Sequence, residues 1–265
     1  MDVNNPIGIF DSGIGGVSVW QEIVRQLPGE STVYFADSAN CPYGSRPQHE
    51  IISLSEKNTE FLLSKNCKII VVACNTATAG AIEFLRSKYP FIPFIGMEPA
   101  VKPAVSHSKT NNIGVLATEA TLNGKLFKET SQKYAGDVQI HMKAGKGLVE
   151  LVESGQADSD EAESLLRQYI EPMMDHHIDQ LVLGCTHYPF LSKRIQKITG
   201  DNVTIINPAC AVAKHVKEVL AQSSLLINSL QPLYHDFYTN GNPLILKNLL
   251  KNLSLPLEVR VEKIS

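Results

Sequence analysis

Two short segments of this chain read alike, and together they constrain what it can fold into. Lys68-Ile-Ile-Val-Val-Ala73 runs into Cys74-Asn75-Thr76-Ala77, and Gln180-Leu-Val-Leu-Gly184 runs into Cys185-Thr186-His187-Tyr188. A short run of β-branched and aliphatic residues bounded by small ones reads as a buried parallel strand, with a helix beginning where the polar residues follow. Each cysteine then stands at a strand's carboxyl end. A thiol in that position faces the positive end of the next helix, whose free N–H groups favour the thiolate. Two thiols presented in this way suggest chemistry that needs two bases.

The rest of the chain repeats the same grammar. Strand signals recur at Ile7–Phe10, Thr32–Ala36, Ile69–Ala73, Phe94–Ile95, Ile113–Ala117, Val138–Met142, Leu181–Gly184, Thr204–Ile206, Tyr234–Thr239 and Leu257–Val261. Between them, Gln48–Lys65, Ala77–Lys88, Leu122–Tyr134, Ser159–His176, Phe190–Ile198 and Pro208–Gln222 carry apolar residues three and four apart, the spacing of amphipathic helices. Alternating strands and helices predict an α/β fold of mostly parallel sheets flanked by helices. Prolines in Gly96–Ala104 and in Ile205–Pro208 mark crossings between two domains. The expected division is 1–96 plus 208–265, carrying Cys74, and 97–207, carrying Cys185. Two such domains, pseudo-symmetric and facing each other by their strand ends, would enclose a ligand cleft.

Composition narrows the ligand. With 265 residues and 43% hydrophobic content the chain can bury two cores, and a net charge of −3, from 24 basic and 27 acidic residues, leaves no basic footprint for nucleic acid or an anionic membrane. The segment Met1–Pro6 has no signal-peptide character, and no stretch approaches the roughly 18 apolar residues of a membrane span. A cytoplasmic protein with a small polar substrate is expected. The five cysteines include no C-x-x-C pair, and the cysteines and histidines lack ligand spacing, so neither disulfides nor a metal are expected. Cys67 and Cys210 read as small buried hydrophobes. Cys41, before a turn, is left undecided.

The first strand ends in Asp11-Ser12-Gly13-Ile-Gly15-Gly16. This turn lacks the Lys-Ser/Thr of a P-loop, and Asp11 at its mouth would repel a phosphate, so a nucleotide site is a poor reading. Asp11 suits an ammonium group, while Ser12 and the N–H groups of the turn suit a carboxylate. The second strand repeats the device as Asp37-Ser-Ala-Asn-Cys-Pro42-Tyr43-Gly44, where the turn either offers N–H groups to an anion or is an ordinary loop with an exposed tyrosine. Asn75 and Thr76 read as helix N-cap residues and, equally, as the lining of an anion site. Thr186 and His187 repeat that arrangement, with His187 able to exchange a proton with a neighbouring thiolate. His176 and His177 read as solvated residues at a helix end. A Cys-His hydrolase would use one cysteine and leave the other strand-end cysteine unexplained.

Phe10–Gly16, Ala36–Ser38 with Pro42–Gly44, Val72–Ala77, Gly114–Thr118 and Leu183–Pro189 together resemble the bacterial glutamate racemases, of the cofactor-independent aspartate/glutamate racemase family. The motifs run in order over nearly the whole chain. The resemblance implies two facing α/β domains, no cofactor, and a cytoplasmic enzyme supplying D-glutamate for peptidoglycan. It implies Cys74 and Cys185 as the two bases, the first for D-glutamate and the second for L-glutamate. Asp11, Ser12, Tyr43, Gly44, Asn75, Thr76, Thr186 and His187 would line the substrate site, with Asp37, Thr118 and Glu153 in support. Two departures stand out: Gly145-Lys146 where the family usually has Cys-Pro, and Asn207-Pro208 in place of a common Asp-Ser. The resemblance leaves the oligomeric state open, a homodimer included.

Inversion at an α-carbon accounts for two thiols. One thiolate removes the proton from one face and one thiol delivers a proton to the other, so the roles exchange with the enantiomer. Fixed hydrogen bonds and exclusion of water by domain closure would replace the charge delocalisation a cofactor provides. The nearest rival is racemisation of aspartate or another acidic amino acid by the same device. A non-catalytic amino-acid binding protein is the rival of another class, and it has no use for paired thiols.

Overall fold

A computed structural model describes residues 2–227, 233–253 and 259–264. They form two compact units, Met1–Met97 with Ala209–Ser265, and Glu98–Pro208. Along the first unit run β1 (Ile7–Asp11), α1 (Val17–Gln26), β2 (Thr32–Ala36), α2 (Gln48–Ser64), β3 (Ile69–Val72), α3 (Asn75–Lys88) and β4 (Phe94–Gly96). The second unit comprises α4 (Val101–His107), β5 (Asn112–Ala117), α5 (Glu119–Asn123), α6 (Lys125–Tyr134), β6 (Gln139–Ala144), α7 (Leu148–Glu153), α8 (Asp160–Met174), β7 (Gln180–Gly184), α9 (Ser192–Thr199) and β8 (Thr204–Ile206). The chain returns to the first unit through α10 (Ala209–Gln222), β9 (His235–Thr239), α11 (Pro243–Asn252) and β10 (Val259–Lys263). Of the expected last strand, Leu257 and Glu258 lie outside the described residues.

Among the described residues the first unit's sheet has the order β10-β9-β2-β1-β3-β4 and the second unit's the order β6-β5-β7-β8. Every pairing is parallel. A parallel sheet flanked by helices must be apolar on both faces, and β1, β2, β3 and β7 are buried along their whole length. The edge strands β6 and β10 keep exposed residues. No helix among the described residues is long and apolar enough to cross a membrane.

The helices depart from the sequence reading in instructive places. Helix α1 hides behind β-branched residues, yet Val17, Val19, Trp20, Ile23 and Val24 make one buried stripe. Helix α4 forms across a stretch that the prolines mark as a break, because Pro103 falls in its first turn, where a missing N–H costs no hydrogen bond. The helix expected over Leu122–Tyr134 is two, since Gly124 is extended (φ −63°, ψ 145°) and α6 starts anew after it. Helix α7, of six residues, is too short for the period to register, and α11 (Pro243–Asn252) is not among the expected helices.

At the amino ends of the first unit's strands a buried ion pair ties distant segments together. Lys68 Nζ donates to Glu30 Oε2 at 2.6 Å and to the Val3 carbonyl at 2.6 Å, while Glu30 Oε1 accepts from the Ile227 N–H at 3.0 Å. Both charged groups are withdrawn from solvent. Removing one partner of such a pair typically costs about 3–5 kcal/mol, because the other stays buried and uncompensated.

On the same unit, Trp20 Nε1 donates to Thr32 Oγ1 (2.8 Å), which lies 2.9 Å from His235 Nδ1, and the indole packs edge-on against His235 and Phe237. Burial pushes the His235 imidazole below its ordinary value of 6.5. Below pH 6.5 the unfolded chain therefore binds a proton that the folded ring refuses, so this residue's contribution to stability is complete above pH 6.5 and declines as pH falls through the folded value. His235→Asn keeps an acceptor for Thr32 and cannot titrate. Its unfolding free energy from urea titration should be lower at pH 7.5 by about 1–2 kcal/mol for the lost packing, and should fall less than wild type's between pH 7 and pH 5.

Candidate active site

Parallel pairing collects the strands' carboxyl ends along one edge of each sheet. In the first unit Asp11 pairs with Ala36, and Ala36 with Thr239. The Asp37 N–H then donates to the Asp11 carbonyl (3.0 Å), and the Ala73 N–H to the Phe10 carbonyl (2.8 Å). Asp11, Asp37, Cys74 and the residues after Thr239 thus leave the sheet side by side.

Cys74 is itself the N-cap of α3 (φ −138°, ψ 121°), and its Sγ accepts from the Ala77 N–H at 3.4 Å. Asn75 and Thr76 are the first residues of the helix rather than its caps. The Cys74 thiol lies 3.7 Å from Ser12 Oγ, to which it donates. Both bonds hold the sulfur in place; the one accepted from the Ala77 N–H strengthens when the sulfur is charged, whereas the one donated to Ser12 exists only while the thiol keeps its proton. Asn75 is buried; its Nδ2 donates weakly to the Met97 carbonyl (3.4 Å), and its Oδ1 is a buried acceptor without a partner. A buried unpaired acceptor costs free energy unless something supplies a donor.

Asp11 corrects one detail of the sequence reading. Its Oδ2 accepts from the Gly16 N–H (2.9 Å) and the Gly13 N–H (3.3 Å), so two of the turn's N–H groups close the turn itself and are not offered to a ligand. Gly16 is required by close approach, since a Cβ there would lie 2.8 Å from Asp11 Cβ and from Tyr34 Oη. Tyr43 corrects another. It is buried, not exposed, and packs in the same apolar cluster as Cys74. Its hydroxyl donates to Asp37 Oδ2 and accepts from Asn58 Nδ2 at 3.0 Å. Burial and the Asp37 charge push the phenol far above its ordinary value, so it remains protonated. Gly44 follows, half-buried, in a short 3-10 turn over Tyr43–Ser45. Asn58 escaped the sequence reading, although a signal existed: the buried face of α2 carries Ser55, Asn58 and Thr59 where packing alone calls for apolar residues.

In the second unit Cys185 follows β7 directly, but no α-helix starts there. A 3-10 turn runs over Tyr188–Leu191, and α9 begins only at Ser192. The helix-end argument therefore holds for Cys74 and not for Cys185, which has an imidazole instead. Cys185 Sγ lies 3.8 Å from His187 Nδ1, and His187 Nε2 lies 2.6 Å from Glu153 Oε1, at the end of α7. With the carboxylate accepting from Nε2–H, the tautomer assigned by the network leaves the Nδ1 lone pair toward the thiol. The three groups form a line along which the cysteine's proton can pass to the ring while the carboxylate steadies the resulting charge. Thr186 is buried beside them. Thr118, at the end of β5, caps α5 by accepting from the Thr121 N–H (3.2 Å).

Tyr188 accounts for Gly145. Its buried hydroxyl donates to the Gly145 carbonyl (3.0 Å), and a Cβ on Gly145 would lie 2.5 Å from that oxygen. The space a larger residue would need is taken by the tyrosine. Of the remaining cysteines, Cys67 is buried and its thiol is pushed up to about 12 by desolvation. Cys210, expected to be buried, is exposed in the first turn of α10, within 3.4 Å of Gln26 Nε2. His176 stacks on His141 with ring centres 4.1 Å apart, and His177 has φ 57°.

Comparison with known proteins adds to this geometry. A family model described as Asp/Glu/Hydantoin racemase matches residues 7–216. A glutamate racemase of Roseiflexus sp. is 44% identical over 260 residues, 97% of this chain and 95% of that protein. One of Herpetosiphon aurantiacus is 43% identical over 240 residues, 91% and 94% of the two chains. The crystal structure of glutamate racemase isoform RacE1 from Bacillus anthracis superposes with a TM-score of 0.88 at 34% identity, covering 98% of this chain and 97% of that one. Escherichia coli glutamate racemase, solved with L-glutamate and the activator UDP-MurNAc-ala, gives 0.86 at 26% identity over 98% of each.

The Gly145–Tyr188 contact is open to a double-mutant cycle. Gly145→Ala should lower stability by about 1–3 kcal/mol through overpacking, and Tyr188→Phe alone by about 1 kcal/mol for the lost hydrogen bond. Urea midpoints should show the pair of substitutions costing clearly less than the sum of the two. Strict additivity would mean that the hydroxyl does not fill the space over Gly145.

Proposed function

Because the chain belongs to the Asp/Glu/hydantoin racemase family and is an isomerase, we propose that it interconverts L- and D-glutamate without a cofactor, one thiol from each unit transferring the proton at the α-carbon. The observation that carries this reading is that each unit ends a parallel strand in a buried cysteine with its own hydrogen-bonded partner, Ser12 and the Ala77 N–H for Cys74 and the His187–Glu153 pair for Cys185. A binding protein would need neither.

In this reading Cys185 removes the proton of L-glutamate and Cys74 returns one to the opposite face, and the roles reverse for D-glutamate. The thiolate of Cys185 forms by passing its proton to His187, whose charge Glu153 offsets. Cys74 exchanges its proton through Ser12. The amino terminus of α3, with Asn75 and Thr76, suits the substrate's α-carboxylate, and the unpartnered Asn75 Oδ1 suits an N–H of its ammonium group. Thr186 and the Gly44 turn offer further polar contacts to the carboxylates. Donors already fixed in place stabilise the carbanion-like transition state without reorganising. The D-glutamate formed would serve peptidoglycan synthesis in the cytoplasm.

Cys74→Ser and Cys185→Ser should each lower racemisation of glutamate, followed by circular dichroism, by at least about 10³-fold, whereas Cys67→Ser and Cys210→Ser should retain most activity. Equal damage from the latter pair in folded protein would remove the assignment of bases. In heavy water, D-glutamate newly formed from L-glutamate should carry deuterium at Cα while the remaining L-glutamate stays protiated at early times. A β-substituted analogue that eliminates its leaving group after proton removal separates the faces. Cys74→Ser should still process its L-form and Cys185→Ser its D-form, and equal loss of both forms in both variants would end the two-base reading.

A further inference from the structure

We propose that Asn240, from the turn after β9, is a positioning residue of this site: its amide clasps Asp37 and the Ala39 backbone, and through Asp37 it fixes the Tyr43–Gly44 turn. The inference rests on the function proposed above, since it concerns the placement of that turn against the substrate.

The turn cannot hold itself. It is a three-residue 3-10 turn with no side-chain cap, secured locally by the Arg46 N–H to Tyr43 carbonyl bond at 3.0 Å. What anchors it is the Tyr43 side chain, sunk into the cluster that also contains Cys74. Because the phenol spends its single hydrogen on Asp37 and receives one from Asn58, its function is attachment, and the groups it leaves for a ligand are those of the turn's backbone.

Arg46 Nε adds a bond to the Asn40 carbonyl at 2.8 Å, and the buried end of the anchor is set by where the Asp37 carboxylate is held. Asp37 precedes a second 3-10 turn, Ser38–Asn40, without capping it through its side chain. Oδ1 instead accepts from Asn40 Nδ2 (2.8 Å) and from Asn240 Nδ2, and Oδ2 from Tyr43. Asn240 is the member of this set that comes from another strand, and it grips twice, since its Oδ1 also accepts from the Ala39 N–H at 2.9 Å. Two bonds of opposite sense fix the amide's orientation, because turning it over would set acceptor against acceptor and donor against donor. The next residue, Gly241, allows the turns to touch: a Cβ there would lie 2.6 Å from Ser38 Cβ and 3.5 Å from the Ser38 carbonyl carbon and Thr239 Oγ1. The clasp spans about 200 residues of sequence because β9 pairs with β2.

Three variants test this. Asn240→Ala should lower kcat/KM for glutamate by about 10- to 100-fold, the usual scale for a group misplaced by about 1 Å, with both enantiomers affected alike. Asn240→Asp sets a second carboxylate against Asp37; two such groups share a proton more readily as pH falls, so its activity relative to wild type should rise from pH 8 to pH 6 while that of Asn240→Ala stays level. Gly241→Ala should reproduce the loss through the Ser38 contact, and adding Ser38→Gly should restore most of it. A readout free of substrate accompanies them: in protein labelled with carbon-13 at tyrosine Cζ, the Tyr43 signal, assigned with Tyr43→Phe, should shift in Asn240→Ala. If wild type racemises glutamate but the variants move neither kcat/KM nor the Tyr43 signal, Asn240 is not a positioning residue. A lowered unfolding midpoint with unchanged kinetics overturns the proposal in the same way. If the Tyr43 signal moves but wild type does not racemise glutamate, the clasp stands and the functional reading fails.

Discussion

Parallel strand pairing is the constraint on which the site depends. In a parallel sheet all strands point the same way, so every strand's outgoing residue arrives at the same edge, whatever its distance along the sequence. Register then sets the neighbours. Asp11 lies beside Ala36 and Ala36 beside Thr239, so Ser12, Asp37 and Asn240 follow one residue further on, with Cys74 two residues beyond β3. The second unit does the same with Thr118, Gly145 and Cys185 after β5, β6 and β7. The opposite edge of the first unit carries the buried Lys68–Glu30 pair, so the function-bearing loops project from a base tied down by charge and by strands buried on both faces.

The two cysteines are alike in sequence and unlike in support. Cys74 lies at a helix amino terminus, and its sulfur takes the place of the capping oxygen, receiving an N–H that the helix would otherwise leave unpaired. Cys185 is followed by a 3-10 turn and relies on a histidine held by a carboxylate. A proton can leave the first toward a hydroxyl and the second toward an imidazole, so identical residue types acquire different proton partners from different local backbone. Under the two-base function proposed above, this difference gives each group its own route for taking up and giving back a proton.

Buried tyrosines supply rigidity around both thiols. Tyr43, Tyr34 and Tyr188 each spend a hydroxyl hydrogen on a partner in a neighbouring loop, namely Asp37, the Gly13 carbonyl and the Gly145 carbonyl. Tyr43 and Tyr188 each link two loops at the strand ends, and Tyr34 ties the loop after β1 to β2. The glycines at 16 and 145 are the counterpart of these links, since at both a side chain would collide with a tyrosine hydroxyl.

What sequence alone determined here was the α/β class with parallel sheets, because runs such as Ile69–Val72 and Gln180–Gly184 are apolar on both faces and lie between helical repeats, and burial on both faces is a local property that periodicity reports. The strand-end position of both cysteines was legible for the same reason. Tertiary structure alone decided that Tyr43 is buried, that Cys210 is exposed, that Asp11 takes two of its own turn's N–H groups, that Cys185 lacks a helix behind it, and that Asn58 and Asn240 brace the Asp37–Tyr43 pair. Those outcomes depend on which strands become neighbours and at what register. The insertion of β9 between β2 and β10 sets Asn240 against a loop some 200 residues earlier, and no local pattern of hydrophobicity encodes which hydrogen-bonding partners such a pairing brings within reach.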